Sequence, residues 1–121
     1  MKMPRVYADE TGESHFGVVD VEFGEVNYIE GAPPIGVAGP YPAERVAFLK
    51  IPDGWSDSCH PSPSRQYVMV LSGEAEFTTS DGEVRVFGKG EAFLLEDLTG
   101  KGHGSRFAGQ GGFVAIQVRL A

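Results

Sequence analysis

Turn-forming residues limit the length of every element this chain can build. No window of eleven or more residues keeps apolar positions three and four apart without a Gly or Pro intruding, so an amphipathic helix has no room. The 17 glycines and 8 prolines favour many short elements joined by turns. Between the breaks lie β-type runs at His15–Phe23, Arg45–Ile51, Gln66–Leu71, Glu74–Thr79, Glu83–Phe87, Glu91–Leu95 and Gly112–Leu120. Glu-Ala-Glu-Phe-Thr-Thr and Glu-Val-Arg-Val-Phe alternate as half-buried strands do. Asp81-Gly82 between them is a hairpin signal, because Gly supplies the positive φ of a tight turn. Closely spaced strands of this kind predict a sandwich or barrel.

The 121 residues suit one domain, with 1–44 as an N-terminal strand and Pro/Gly-rich loop and 45–121 as the barrel core. Eight acidic residues in the first 44 positions, against Lys2 and Arg5, predict a solvated N-terminal segment. Residues 31–44, GAPPIGVAGPYPAE, cannot sit inside a sheet. They read either as a surface loop leading into the barrel or as a lid over a pocket. No apolar run reaches a membrane span and MKMPRVYADE lacks an apolar signal centre, so a soluble, cytoplasmic protein is expected.

The net charge of −7, with no basic cluster to offset it, argues against nucleic acid and anionic membranes as partners. One cysteine, Cys59, excludes an internal disulfide and a Cys-rich zinc site. It reads as a reduced thiol packed on the barrel wall. A catalytic thiolate beside His60 is the alternative, although strand neighbours point to opposite faces.

Two segments carry candidate chemistry. In Gly54–Gly73, GWSDSCHPSPSRQYVMVLSG, five residues separate Gly54 from His60 and six separate Gln66 from Gly73. In Gly90–Phe107, GEAFLLEDLTGKGHGSRF, Gly100-Lys101-Gly102-His103 places a histidine after a glycine-rich turn. The two segments resemble the two motifs of the cupin superfamily, written G-x5-H-x-H-x3-4-E-x6-G and G-x5-P-x-G-x2-H-x3-N. Ser62 stands where the second histidine belongs, Gln66 replaces the glutamate, Leu98 the proline and Phe107 the asparagine, and the second motif is two residues longer. The resemblance covers nearly the whole chain and points to a subgroup of short bacterial cupins. It implies an all-β fold, a single jelly-roll cupin barrel with an N-terminal strand extension.

The resemblance also implies a site. In the family, imidazoles and a carboxylate hold a divalent metal such as Fe, Mn, Ni or Zn, which needs several lone pairs converging at about 2.0–2.2 Å. The transferred set is His60, Gln66 and His103, and it is weakened by Ser62 and by the amide at Gln66. Asp97, Glu96 or His15 are candidates to complete it. Without a metal, His60 and His103 remain as catalytic acid–base groups that titrate near neutral pH. Both alternatives stay open. With Gln66 facing in, Val68 and Val70 face in while Tyr67, Met69 and Leu71 face out. Phe48, Trp55, Ser62, Val68 and Phe93 are expected to line a substrate pocket. Arg65, Lys101 and Arg106 flank the site in sequence, and near the mouth they would favour a carboxylate or enolate.

The expected function is binding of a small polar metabolite inside the barrel, either as an isomerase, lyase or oxygenase or as a non-catalytic sensing module. A homodimer is expected, with Val18–Phe23 adding to a neighbour's sheet.

Overall fold

The computed structural model describes residues 1–121. Twelve strands follow in chain order: β1 Lys2–Ala8, β2 Ser14–Asp20, β3 Gly24–Val26, β4 Ile35–Val37, β5 Ala43–Ile51, β6 Ser56–His60, β7 Gln66–Ser72, β8 Glu74–Thr79, β9 Val84–Phe87, β10 Ala92–Glu96, β11 His103–Ala108 and β12 Phe113–Leu120. A six-stranded sheet runs β2-β1-β10-β7-β12-β5 and a four-stranded sheet runs β6-β11-β8-β9. No hydrogen-bonded ladder joins the two sheets. No helix is long and apolar enough to cross a membrane.

Side chains from both sheets meet in one core. Phe93 of the larger sheet stacks on Phe87 of the smaller at 4.4 Å and meets the edge of Phe77 at 5.1 Å. Phe107 and Phe113 bridge the sheets at 4.9 Å. Inward-facing rings from two sheets that meet face to face make a two-layer β fold. In β7, Gln66, Val68 and Val70 are buried and Tyr67, Met69 and Leu71 are not, as the alternation predicts.

The N-terminal segment is solvated only in its second half, where residues 22–36 are exposed. β1 inserts beside β10 in a parallel pairing, and its Val6 is wholly buried in the core. Its acidic neighbours fall in the connections, which is why charge counting missed a central strand. Residues 31–44 are not all irregular either. Ile35–Val37 pairs with Gly24–Val26 in a two-stranded ribbon outside both sheets.

The β8–β9 connection is a tight hairpin with glycine at its positive-φ position. Gly82 takes φ +92° and no residue other than glycine has positive φ, so Asp81 does not. Gly82 N donates to Thr79 O and Thr79 N to Glu83 O, giving a three-residue loop with glycine in the left-handed position.

Candidate functional site

The open end of the space between the sheets is a cavity of about 200 Å³. Its floor is aromatic and aliphatic, with Phe77, Phe93, Phe107, Phe113, Leu95 and Val68. Its mouth carries polar groups: Asp57, His60, Ser62, Gln66, His103, Ser105 and Gln117. An apolar body with a few fixed polar heads is the composition of a small-molecule site.

Two histidines far apart in sequence meet here because β6 and β11 are neighbours. His60, the last residue of β6, lies opposite His103, the first of β11, with ring centroids 5.5 Å apart. Gly102 makes the approach possible. A Cβ there would fall 2.0 Å from the carbonyl carbon and oxygen of His60, and φ is +71°.

The two imidazoles differ in what holds them. His103 is buried, and its Nδ1 lies 2.7 Å from Oδ2 of the fully buried Asp97. An ionised carboxylate only accepts, so this contact places a proton on Nδ1 and leaves the Nε2 lone pair without a protein partner at the cavity wall. The second oxygen of Asp97, Oδ1, is buried with no partner. The backbone pins the same turn, since Ser62 N donates to Asp97 O at 2.9 Å.

His60 is half-exposed at the rim, and both of its nitrogens face acceptors. Nδ1 lies 2.9 Å from Pro61 O and Nε2 lies 2.8 Å from Asp57 Oδ2. Two acceptors require two N–H groups, so His60 is an imidazolium in this arrangement. The Pro61 carbonyl, and then Asp57, raise its pKa above 6.5. Burial pushes the Asp57 carboxyl up, but hydrogen bonds from Ser105 and His60 outweigh it and hold the carboxyl below the usual range. Ser105 donates to Asp57 Oδ1 through both N, at 2.7 Å, and Oγ, at 2.8 Å.

Gln66 is committed as well. Its Nε2 donates to Ser62 Oγ at 3.0 Å, Ser62 Oγ donates to Ser64 O at 2.7 Å, and Gln117 Nε2 donates to Gln66 Oε1. A divalent metal does not fit this donor set. His60 offers no free lone pair, the Gln66 oxygen is taken, and no three His, Cys, Asp or Glu side chains are grouped to hold an ion.

Of the residues proposed from sequence, His60, Gln66, His103, Trp55, Ser62, Val68 and Phe93 line the cavity. Three do not. Phe48 is 74% exposed on the outside of β5. It pairs with Ile116, whereas Leu49 and Ile51 pair with the buried Ala115 and Phe113 and share their inward parity. Asp97 stands behind His103 and is no direct ligand. His15 lies on β2 outside the cavity, held by Asp9 at 2.6 Å and Asp81 at 2.9 Å.

Other expectations also shift. Glu96 pairs with Arg5 at 2.7 Å and Arg65 at 3.5 Å, and Lys101 pairs with Glu13 at 2.7 Å. No lysine or arginine lines the cavity, so those cations do not form its mouth. Cys59 is exposed and not packed on a wall. No residue of 31–44 lines the cavity, which leaves the lid without a contact to close.

Sequence reading missed Asp57, Ser105 and Gln117. Gln117 was legible as the one polar side chain in the inward row Phe113, Ala115, Gln117. Asp57 was not, because residues three apart on a regular strand point to opposite faces. A register shift between His103 and Ser105 brings it to His60.

No family profile matches the chain, and no curated protein matches it. Solved structures do. The Cnp3 cupin domain of Schizosaccharomyces pombe superposes with a TM-score of 0.50 at 13% identity, covering 99% of this chain and 88% of that one. The chain has a cupin fold. A cupin superfamily protein from Desulfitobacterium hafniense gives a TM-score of 0.44 at 20% identity over 64% of this chain and 79% of that one. A cupin 2 conserved barrel domain protein from Leptotrichia buccalis gives 0.44 at 24% identity, over 79% of this chain and 44% of that protein. Identities this low speak to the cupin fold and carry no activity with them.

Proposed function

We propose that this cupin-fold chain binds a small carbonyl compound in a jelly-roll barrel and moves a proton on it. His103 is the base and His60 is the cation at the reacting oxygen. The observation that supports this reading is the buried His103–Asp97 pair at 2.7 Å, which leaves one imidazole lone pair facing an apolar cavity. His103 Nε2 takes a proton from the carbon beside the carbonyl. Asp97 holds the Nδ1–H and stabilises the imidazolium that forms, as a carboxylate behind a histidine does. The electrons move to the carbonyl oxygen, and the enolate oxygen competes with Asp57 for the Nε2–H of His60. The two rings are in direct contact, with centroids 5.5 Å apart, so a substrate would lie beside them on the cavity side, within reach of both. Return of the proton to the same or a neighbouring carbon completes an exchange or an isomerisation.

Incubation with small α-hydroxy and α-keto compounds in deuterated water, followed by NMR, tests this. The parent is expected to exchange the α-proton, and His103→Gln to lose at least about 100-fold of that rate. The rate is expected to fall as pH rises through the raised pKa of His60, because the charge that stabilises the enolate is lost there. No exchange in the parent across the set overturns the catalytic reading.

A second reading is a non-catalytic small-molecule binding module. It draws on the full engagement of His60 and Gln66, whose hydrogen-bonding groups are already satisfied. Saturable binding without exchange supports it.

A further inference from the structure

Of the sheet edges, one stands uncovered along a long strand. β5 spans nine residues and pairs with β12 alone, so its other side presents unpaired backbone groups. The strand carries the charged residues Glu44, Arg45 and Lys50, yet its outer face keeps an apolar centre. Pro42 and Pro52 lie just outside the strand, and Val46 and Phe48 on its outer face are 63% and 74% exposed. The other edges are shorter or already bridged. β9 has four residues and β6 has five. β2 is tied to the β8–β9 turn by Ser14–Ser80 and His15–Asp81 hydrogen bonds.

The residues of β5 are self-complementary. Antiparallel pairing of two copies about a two-fold axis at Ala47 sets Val46 opposite the partner's Phe48 and Glu44 opposite the partner's Lys50. Each contact occurs twice by symmetry. Moving the axis to Phe48 would set Val46 against the partner's Lys50, and moving it to Val46 would set Glu44 against the partner's Phe48. On the outer face only the Ala47 register matches charge with charge and apolar with apolar; on the inner face it sets Arg45 opposite the partner's Leu49. Lys50 forms no ion pair within its own chain. Glu44 shares an exposed pair with Arg119 at 3.2 Å, an interaction weak enough to be exchanged. Tyr41, 53% exposed just before the strand, adds apolar surface beside the edge.

We infer that a second copy of this chain docks along β5, antiparallel about Ala47, and joins the two six-stranded sheets into one. This places the expected dimer contact at β5 and not at Val18–Phe23. Leu49 and Ile51 on the inner face of β5 line the cavity, so the joined strand backs one wall of the site.

Sedimentation velocity with light scattering at micromolar concentrations tests it. The parent is expected to be a dimer, and Phe48→Lys a monomer with unchanged circular dichroism, since Phe48 packs outside the core. Glu44→Lys and Lys50→Glu are each expected to weaken self-association at least about tenfold by opposing like charges. An equimolar mixture of these two variants restores opposite charges at both pairs and is expected to dimerise more tightly than either alone. A monomeric parent, or a dimer indifferent to Phe48→Lys, overturns the proposal. A mixture that pairs no better than its components overturns the register. None of these readouts involves the cavity, so they stand or fall apart from the proton-transfer reading.

Discussion

His103 and His15 both sit against carboxylates, yet their surroundings give them opposite roles. His103 has one nitrogen held by the buried Asp97 and the other left open at the cavity. His15 has Asp9 on one nitrogen and Asp81 on the other, and it joins the start of β2 to the β8–β9 turn. His15, with both nitrogens bound to carboxylates outside the cavity, is a clamp, whereas His103 keeps one nitrogen free at the cavity. The difference lies in which partners the fold brings, since the side chains are chemically identical. The two regions also touch. Ser14 Oγ, next to His15, donates to Gly102 O at 2.7 Å, and Gly102 precedes His103. Lys101 N donates to Gly12 O at 2.9 Å in the same contact.

That shared seam is the most sensitive place to break the comparison. Gly102→Ala is expected to cost about 4 kcal/mol or more in denaturant unfolding, because a Cβ collides with the His60 backbone and the positive φ is strained. An unchanged unfolding midpoint would mean that β6 and β11 do not approach as described.

Asp97→Ala is expected to be next in size, lowering stability by about 3 kcal/mol, since it leaves a buried imidazole facing an unfilled space. Asp97→Asn keeps the shape and loses less stability. It should still slow proton exchange, because the charge that stabilises protonated His103 is gone. Equal losses for the two variants would show that Asp97 acts through packing alone.

His15→Gln is expected to have the smallest effect, and one that depends on pH. Hydrogen bonds donated to Asp9 and then to Asp81 raise the His15 pKa, so its contribution is full below its ordinary value and fades as pH rises through the raised one. The carboxyl of Asp9 is lowered chiefly by His15, and that of Asp81 by Thr79 before His15. Their contributions are present above their ordinary values and lost as pH falls. The drop in melting midpoint should therefore be greatest between roughly pH 4 and 6.5 and shrink in alkali. A drop of equal size at about pH 9 would count against the charged clamp.

The fold was largely legible because inward and outward residues alternate. All seven strands proposed from the sequence reappear within a few residues at each end. Those overlooked were short, such as β6, or rich in glycine and polar residues, such as β11. β1 was overlooked although it forms a hairpin with β2, because Lys2, Pro4 and Arg5 interrupt its apolar pattern. For the site, motif spacing located His60, Gln66 and His103, but side-chain direction misplaced Phe48. Its parity depends on the register of β5 against β12, which no local spacing encodes.

What the sequence determined by itself was the all-β class and the turn positions, which rest on periodicity and on glycine at required turns, and, through its resemblance to the cupin motifs, the pair of histidines. Tertiary structure alone decided which imidazole keeps a nitrogen free at the cavity and which has both nitrogens engaged. Protonation follows from hydrogen-bond partners, and Asp97, Asp57, Asp9 and Asp81 reach their histidines only after distant strands have been laid side by side.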